Sequence, residues 1–201
     1  MPPGIFFGGM NAAPHRVRRR ERFTKVPDID GAPRPCRANR SASENKGLMM
    51  NLSVRKARMG DIRAIHALLM TSSADGLLLP RSLTELYGHL RDFFVVEGDG
   101  GIIGCGALSI IWENMAEVRS LAVAPSARRN GCGRLLVNAC IDEARELDIH
   151  RLFALTYQLP FFKAMNFSIV EKDILPQKVW VDCVHCPKFP DCDETAVLLE
   201  L

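Results

Sequence analysis

The segment Arg128-Arg129-Asn130-Gly131-Cys132-Gly133 joins a strand pattern to a helix pattern, and it constrains the fold more than any other stretch. Glu117 to Val123 before it reads as a strand. Leu135, Leu136, Ala139, Cys140 and Leu147 after it recur at helical spacing over about four turns. Glycines at such a junction let the main chain approach a ligand closely and point several N–H groups into one concavity. With the positive end of the helix dipole, those donors suit a pyrophosphate. Arg128, Arg129 and Arg134 add charge that can pair with phosphate. Taken alone, a glycine-bearing turn of this kind also serves as an ordinary connection. It lacks the Gly-Lys-Ser/Thr of a Walker loop and the full spacing of a dinucleotide fingerprint.

The flanking pattern is mixed α/β. Val54 to Ala57 reads as a short strand, and Asp61 as the cap of a helix presenting Ile62, Ile65, Leu68 and Leu69 on one face. Leu77 to Pro80 is a connection. Ser82 with Glu85 forms a capping box ahead of Leu83, Leu86, Tyr87 and Leu90. Phe93 to Glu97 and Ile102 to Ile111 are strands joined by the turn Gly98-Asp99-Gly100-Gly101. Arg151 to Thr156 is a buried strand, Phe161 to Met165 a short helix, Phe167 to Glu171 a strand, and Thr195 to Leu201 a closing strand.

Charge divides the chain at residue 48. Residues 1–48 hold ten Lys/Arg against four Asp/Glu, a net of +6, whereas the whole 201-residue chain carries +3. The remainder is therefore about −3 and gives no electrostatic case for nucleic acid. The leader is rich in Pro, Gly, Arg and Asn without periodicity, which predicts disorder. Patterned sequence opens at Met49 or Met50, and the upstream stretch resembles translated non-coding sequence. The expected folded domain is 52–201, large enough to bury a core unaided. No apolar run approaches the roughly 18–20 residues of a membrane span, and no signal core is present. A cytoplasmic location with no membrane partner is expected, with the seven cysteines read as thiols or metal ligands before disulfides.

Read continuously, Glu117-Val118-Arg119-Ser120-Leu121-Ala122-Val123-Ala124-Pro125 through Gly133 resembles the central motif of the GNAT acetyltransferase superfamily. Phe161-Phe162-Lys163-Ala164-Met165-Asn166-Phe167 resembles its next motif, with Phe162 and Asn166 where Tyr and Gly are usual. Leu78-Leu79-Pro80-Arg81-Ser82, Gly104-Cys105-Gly106-Ala107-Leu108 and Leu155-Thr156-Tyr157 look like the acetyltransferase part of bacterial N-acetylglutamate synthases, here in a short, stand-alone form. The resemblance implies a mixed, mostly antiparallel sheet, splayed at its centre and flanked by helices. It also implies acetyl-CoA as cosubstrate, with no metal required. The acceptor would be a small amino acid, L-glutamate or glutamine, in the first step of arginine synthesis. Monomer and homodimer both stay open.

Site residues follow from the same resemblance. Leu121, Ala122 and Val123 would pair with pantetheine, and Arg128, Arg129, Asn130, Gly131, Cys132, Gly133 and Arg134 would hold the pyrophosphate. Arg81 matches the family's substrate-binding arginine, its planar fork suiting a carboxylate. Lys178 and Lys188 are candidates for a second carboxylate contact, and Arg119 would pair either near Glu117 or with substrate. Glu117 stands where the family places a general base. Tyr157 would replace the tyrosine missing at Phe162 as general acid, and N–H groups near Ser120 and Leu121 would hold the oxyanion.

Cys183-Val184-His185-Cys186 and Cys192 remain outside that scheme. Their spacing allows a zinc site completed by His185, a redox-sensitive thiol pair, or an ordinary loop covering the acceptor pocket. Cys105, Cys132 and Cys140 read as packing residues.

Overall fold

The computed structural model describes residues 51–98, 100–175, 183–186 and 188–201. The expectations for the leader, Asp99, Lys178 and the His185 side chain fall outside them. Eleven principal elements run in order: β1 (Ser53–Lys56), α1 (Ile62–Ala74), α2 (Leu83–Gly88), β2 (Phe93–Gly98), β3 (Gly101–Trp112), β4 (Met115–Val123), α3 (Cys132–Glu146), β5 (Arg151–Thr156), α4 (Leu159–Lys163), β6 (Ser168–Ile169) and β7 (Thr195–Glu200). The strands form one seven-stranded sheet in the order β1-β2-β3-β4-β5-β7-β6. Every neighbouring pair is antiparallel except β4 and β5, which run parallel. This is the mixed, mostly antiparallel, helix-flanked architecture expected. No helix among the described residues is long and apolar enough to cross a membrane.

Two helical layers bury the sheet. On one face Leu136, Val137, Cys140 and Ala144 of α3 lie against Phe94, Val96, Ala116, Val118, Leu152 and Ala154. On the other, Ile62, Ile65 and Leu69 of α1, with Leu86 of α2, cover Phe93, Val95, Cys105, Ala107 and Ala122. The helical spacing of these residues on α1 and α3 is what the apolar periodicity requires. Each fully buried Leu or Ile contributes roughly 1.5–3 kcal/mol. Met115, Phe153, Ala196 and Leu198 form a third cluster, under Leu175.

Several local expectations change. Asp61 stands at the N-cap position of α1 as read, but its side chain makes no capping hydrogen bond to that helix; it ends a 3-10 turn, where its Oδ2 accepts the Arg58 N–H at 2.7 Å. Both carboxylate oxygens are drawn to Arg55, whose Nη1 and Nη2 donate at 2.6 and 3.1 Å. The Ser82–Glu85 box forms as read, Glu85 N–H donating to Ser82 Oγ at 3.2 Å and Ser82 N–H to Glu85 Oε2 at 2.7 Å. The helix it opens stops at Gly88, and Leu90 lies in a separate 3-10 turn. Helix α4 starts two residues earlier than expected, with Pro160 in its first turn, and β6 shortens to two residues.

Two irregularities in β4 open the sheet at its centre. Its ladder with β3 shifts register, Cys105 pairing with Ala122 but Ala107 with Arg119, and Ser120 takes a left-handed φ of 54°. The extra residue reverses the inside–outside phase, so Val118 and Leu121 pack on the α3 side while Ala122 packs on the α1 side. Gly106 lies opposite, where a Cβ would stand 3.1 Å from Leu121 Cδ1. On its other edge β4 pairs with β5 at Met115, Ala116 and Glu117 alone. From Val118 onward the two strands diverge.

Candidate active site

A cavity of about 970 Å³ opens where β4 leaves β5. Val118 to Val123 form its floor. The loop and first turn of α3 close one end, and Leu77 to Arg81 with Ser72 the other. Cys183, Cys186, Phe189, Cys192 and Glu194 form a further wall.

The end formed by the loop before α3 is built by backbone geometry. Gly131 caps α3 with φ 86°, a conformation costly for a side chain, and nothing lies within 4 Å of a Cβ there. The first intrahelical bond is Leu135 N–H to Gly131 O at 3.0 Å. The N–H groups of Cys132, Gly133 and Arg134 precede it and are not needed by the helix. Arg129 is exposed, with φ 68°. Arg128 bridges Asp75 at the end of α1 (3.3 Å) and donates through Nε to Val123 O (3.3 Å). Arg134 donates to Ala164 O at 3.4 Å. The Cys132 thiol points inward to Ala127 O at 3.6 Å, and burial raises its pKa. At Gly133 a Cβ would lie 3.3 Å from the Phe161 ring, so that glycine also serves helix packing.

Glu117 occupies the last rung shared by β4 and β5. Its side chain is buried at 4% exposure, yet it lines the cavity. Arg119, two residues on and on the same face, approaches Glu117 Oε2 to 3.9 Å through Nη1. Arg81 reaches in from before α2, its Nε donating to Ser120 Oγ at 2.9 Å and its Nη1 standing 4.0 Å from Glu85. The left-handed Ser120 is therefore the point where bulge and cation meet. Glu117, Arg119, Ser120, Arg81 and the loop residues other than Asn130 line this one cavity.

Tyr157 departs from its expected place. Its hydroxyl donates to Asp193 Oδ1 at 2.5 Å and accepts from Lys188 Nζ, which also contacts Asp193 at 3.0 Å. This cluster draws the ring into a side cavity of about 200 Å³ with Leu78, Leu79 and Glu194, off the main one. Burial and the Asp193 carboxylate raise the Tyr157 pKa; Lys188 beside it works the other way. Lys188 is thereby committed to Tyr157 and Asp193. Among the described residues no group of three or more His, Cys, Asp or Glu is arranged to hold a metal ion.

Five polar groups escaped sequence reading. Ser72, Thr156, Gln158, Lys172 and Glu194 all line the main cavity. Glu194 carried a signal in principle: it precedes Ala196 and Leu198 at alternate positions of β7, on the sheet face that Glu117 shares through Phe153.

Comparison with known proteins agrees with this architecture. The profile of the Acetyltransferase (GNAT) family matches residues 63–167. An uncharacterized N-acetyltransferase of Chlorobaculum tepidum is 40% identical over 148 residues, 74% of this chain and 96% of its own length. An amino-acid acetyltransferase of Mycobacterium tuberculosis is 36% identical over 121 residues, 59% of this chain and 69% of that protein. Among solved structures, N-acetylglutamate synthase from Neisseria gonorrhoeae, complexed with coenzyme A and N-acetyl-glutamate, superimposes with a TM-score of 0.66 and 33% identity. That match covers 75% of this chain and 35% of the synthase, so the chain spans about a third of its length.

Proposed function

The chain belongs to the GNAT acetyltransferase family, and from that premise we propose that it moves the acetyl group of acetyl-CoA onto the α-amine of L-glutamate, the first step of arginine synthesis. One observation carries the choice of an anionic acceptor. Arg81, bonded to Ser120 of the floor strand, and Arg119, on that strand, line the same cavity as the buried Glu117. Guanidinium groups suit the two carboxylates of glutamate, where a polyamine site would be lined by carboxylates.

In this reading the N–H groups of Cys132, Gly133 and Arg134 hold the pyrophosphate at the positive end of α3. Asn130 and the left-handed Gly131 shape that cradle, and Arg128, Arg129 and Arg134 add charge. Pantetheine lies along Leu121, Ala122 and Val123, in the gap left by β5, and pairs with backbone as an added strand would. The thioester carbonyl then sits near Ser120 and Leu121, whose N–H groups stabilise the oxyanion.

The acceptor enters as an ammonium ion. Glu117, directly or through water, removes one proton, and the amine lone pair attacks the thioester carbon. Collapse of the tetrahedral intermediate breaks the C–S bond. The second N–H proton, acidified in that intermediate, ends on the departing thiolate. Tyr157 is bound to Asp193 and Lys188 beside the side cavity, and takes no part in this scheme.

The test is CoA release by the purified protein across a panel of amino acids and polyamines. Glutamate should be preferred, and Glu117→Gln should lower kcat by about 10²–10⁴-fold without weakening CoA binding. Preference for a polyamine would overturn the acceptor assignment; an unchanged kcat would overturn the role of Glu117.

A further inference from the structure

Glu194 is a polar group of the cavity that the proposed chemistry leaves unused. It stands immediately before β7 and lines both the main cavity and the side cavity. The sheet register explains its direction. Glu117 pairs with Phe153, Phe153 with Leu198, and Leu155 with Ala196, so these side chains share one face. Two residues before Ala196, Glu194 approaches that face from the far side of the gap.

Among the described residues no Lys or Arg hydrogen-bonds or ion-pairs with it. Among the described residues its hydrogen-bond partner is the Cys192 thiol, 3.8 Å from Oε2, a weak donor. Lys188 is held by Tyr157 and Asp193. Lys172, the lysine of the main cavity, donates to Cys192 O at 2.6 Å. The charged and titratable groups facing Glu194 are Glu117, Lys188, Asp193 and Cys192. Burial raises its pKa and the Glu117 charge raises it further, while Lys188 acts in the opposite direction. A half-buried carboxylate with one weak donor, in a cavity that holds a second carboxylate, is a site for a cation brought by a ligand.

We propose that Glu194 is the docking carboxylate for the acceptor's ammonium group, holding it on the β7 side of the gap while Arg81 and Arg119 take the acceptor's carboxylates. This rests on the acetyl-transfer reading above and deepens it. The cavity then selects small acceptors that arrive with a protonated amine at one end and acid groups at the other. It also accounts for product release, because acetylation removes the positive charge that Glu194 holds.

Glutarate, which is glutamate without its amine, separates this role from a structural one. With acetyl-CoA saturating, Glu194→Gln should raise KM for glutamate about 10–100-fold, the loss of one charged hydrogen-bonded contact. KM for acetyl-CoA and the inhibition constant of glutarate should both stay within about twofold. Glu194→Asp, which keeps the charge, should recover part of the loss. Thermal melting of each variant shows whether it folds. An unchanged KM in Glu194→Gln overturns the proposal, and so does a parallel loss of glutarate inhibition. Should the wild type acetylate a different amine, the glutamate assignment fails by itself. That amine and its deaminated analogue then give Glu194 the same test.

Discussion

Arg81 and Ser120, 39 residues apart in sequence, are joined by a 2.9 Å hydrogen bond from Nε to Oγ. The bond fixes a cation from the segment before α2 onto the bulge of β4, so the charge is held against the strand that floors the cavity. Lysine cannot reproduce this contact together with a planar fork toward a carboxylate. On the proposed reading, Arg81→Lys should raise KM for glutamate at least about tenfold and Arg81→Ala about 100-fold, with KM for acetyl-CoA unchanged. Steady-state kinetics with each substrate varied in turn decides it. Full activity in Arg81→Lys would dispose of the fork.

Gly131 tests the proposed phosphate site. Its φ of 86° disfavours any residue with a Cβ, but the space around it is empty. Strain, not collision, should therefore dominate Gly131→Ala, at roughly 1–2 kcal/mol. We expect a lower Tm and weaker CoA binding by calorimetry, with Gly131→Asn milder because asparagine tolerates the left-handed region. Equal CoA affinity in Gly131→Ala would remove this turn from the cofactor site.

Much of the architecture was legible because it depends on local pattern. The Ser82–Glu85 box, the α3 stripe and the glycine junction each announce themselves within a few residues. The bulge at Ser120 does not, since one extra residue in an apolar strand leaves no mark beyond a phase slip that Leu121, Ala122 and Val123, all apolar, conceal. The cap position of Asp61 was legible but its lack of a capping bond was not, because Arg55, on the preceding strand, takes the carboxylate through a bidentate pair. The cluster around Tyr157 was hidden for a similar reason: its partners Lys188 and Asp193 lie 31 and 36 residues away. Glu194 was missed because a carboxylate in an acidic run before a strand reads as solvated until the register of β7 against β5 is known.

The cysteines should divide by burial. Desolvation pushes the Cys105 and Cys140 thiols up to about 12. At pH 8 roughly one such thiol in ten thousand is ionised, and the thiolate is the reactive form. Cys183, Cys186 and Cys192 line the cavity. Among the described cysteines, iodoacetamide at pH 8 should label these three first, and CoA with glutamate should slow them. Cys105 and Cys140 should react only in denaturant. Mass spectrometry of the labelled peptides reads the order; early labelling of Cys140 would contradict the packing of α3.

The Arg55–Asp61 pair sets an acid limit on stability. Hydrogen bonding to Arg55 lowers the Asp61 carboxyl below its ordinary 3.8, and the side chain is 12% exposed, so the charge is held in a largely dry site. A carboxyl depressed in the folded state stabilises above its unfolded pKa, and that contribution disappears as pH falls through the folded value. Asp61→Asn should thus cost about 1–3 kcal/mol at pH 7, a Tm loss of roughly 3–10 °C. The difference from wild type should hold from pH 7 to about 5, well above both pKa values, and close only below the usual carboxylate range. Denaturant midpoints at pH 7, 5 and 3 measure it. A gap as wide at pH 3 as at pH 7 would mean that Asp61 acts through shape and not charge.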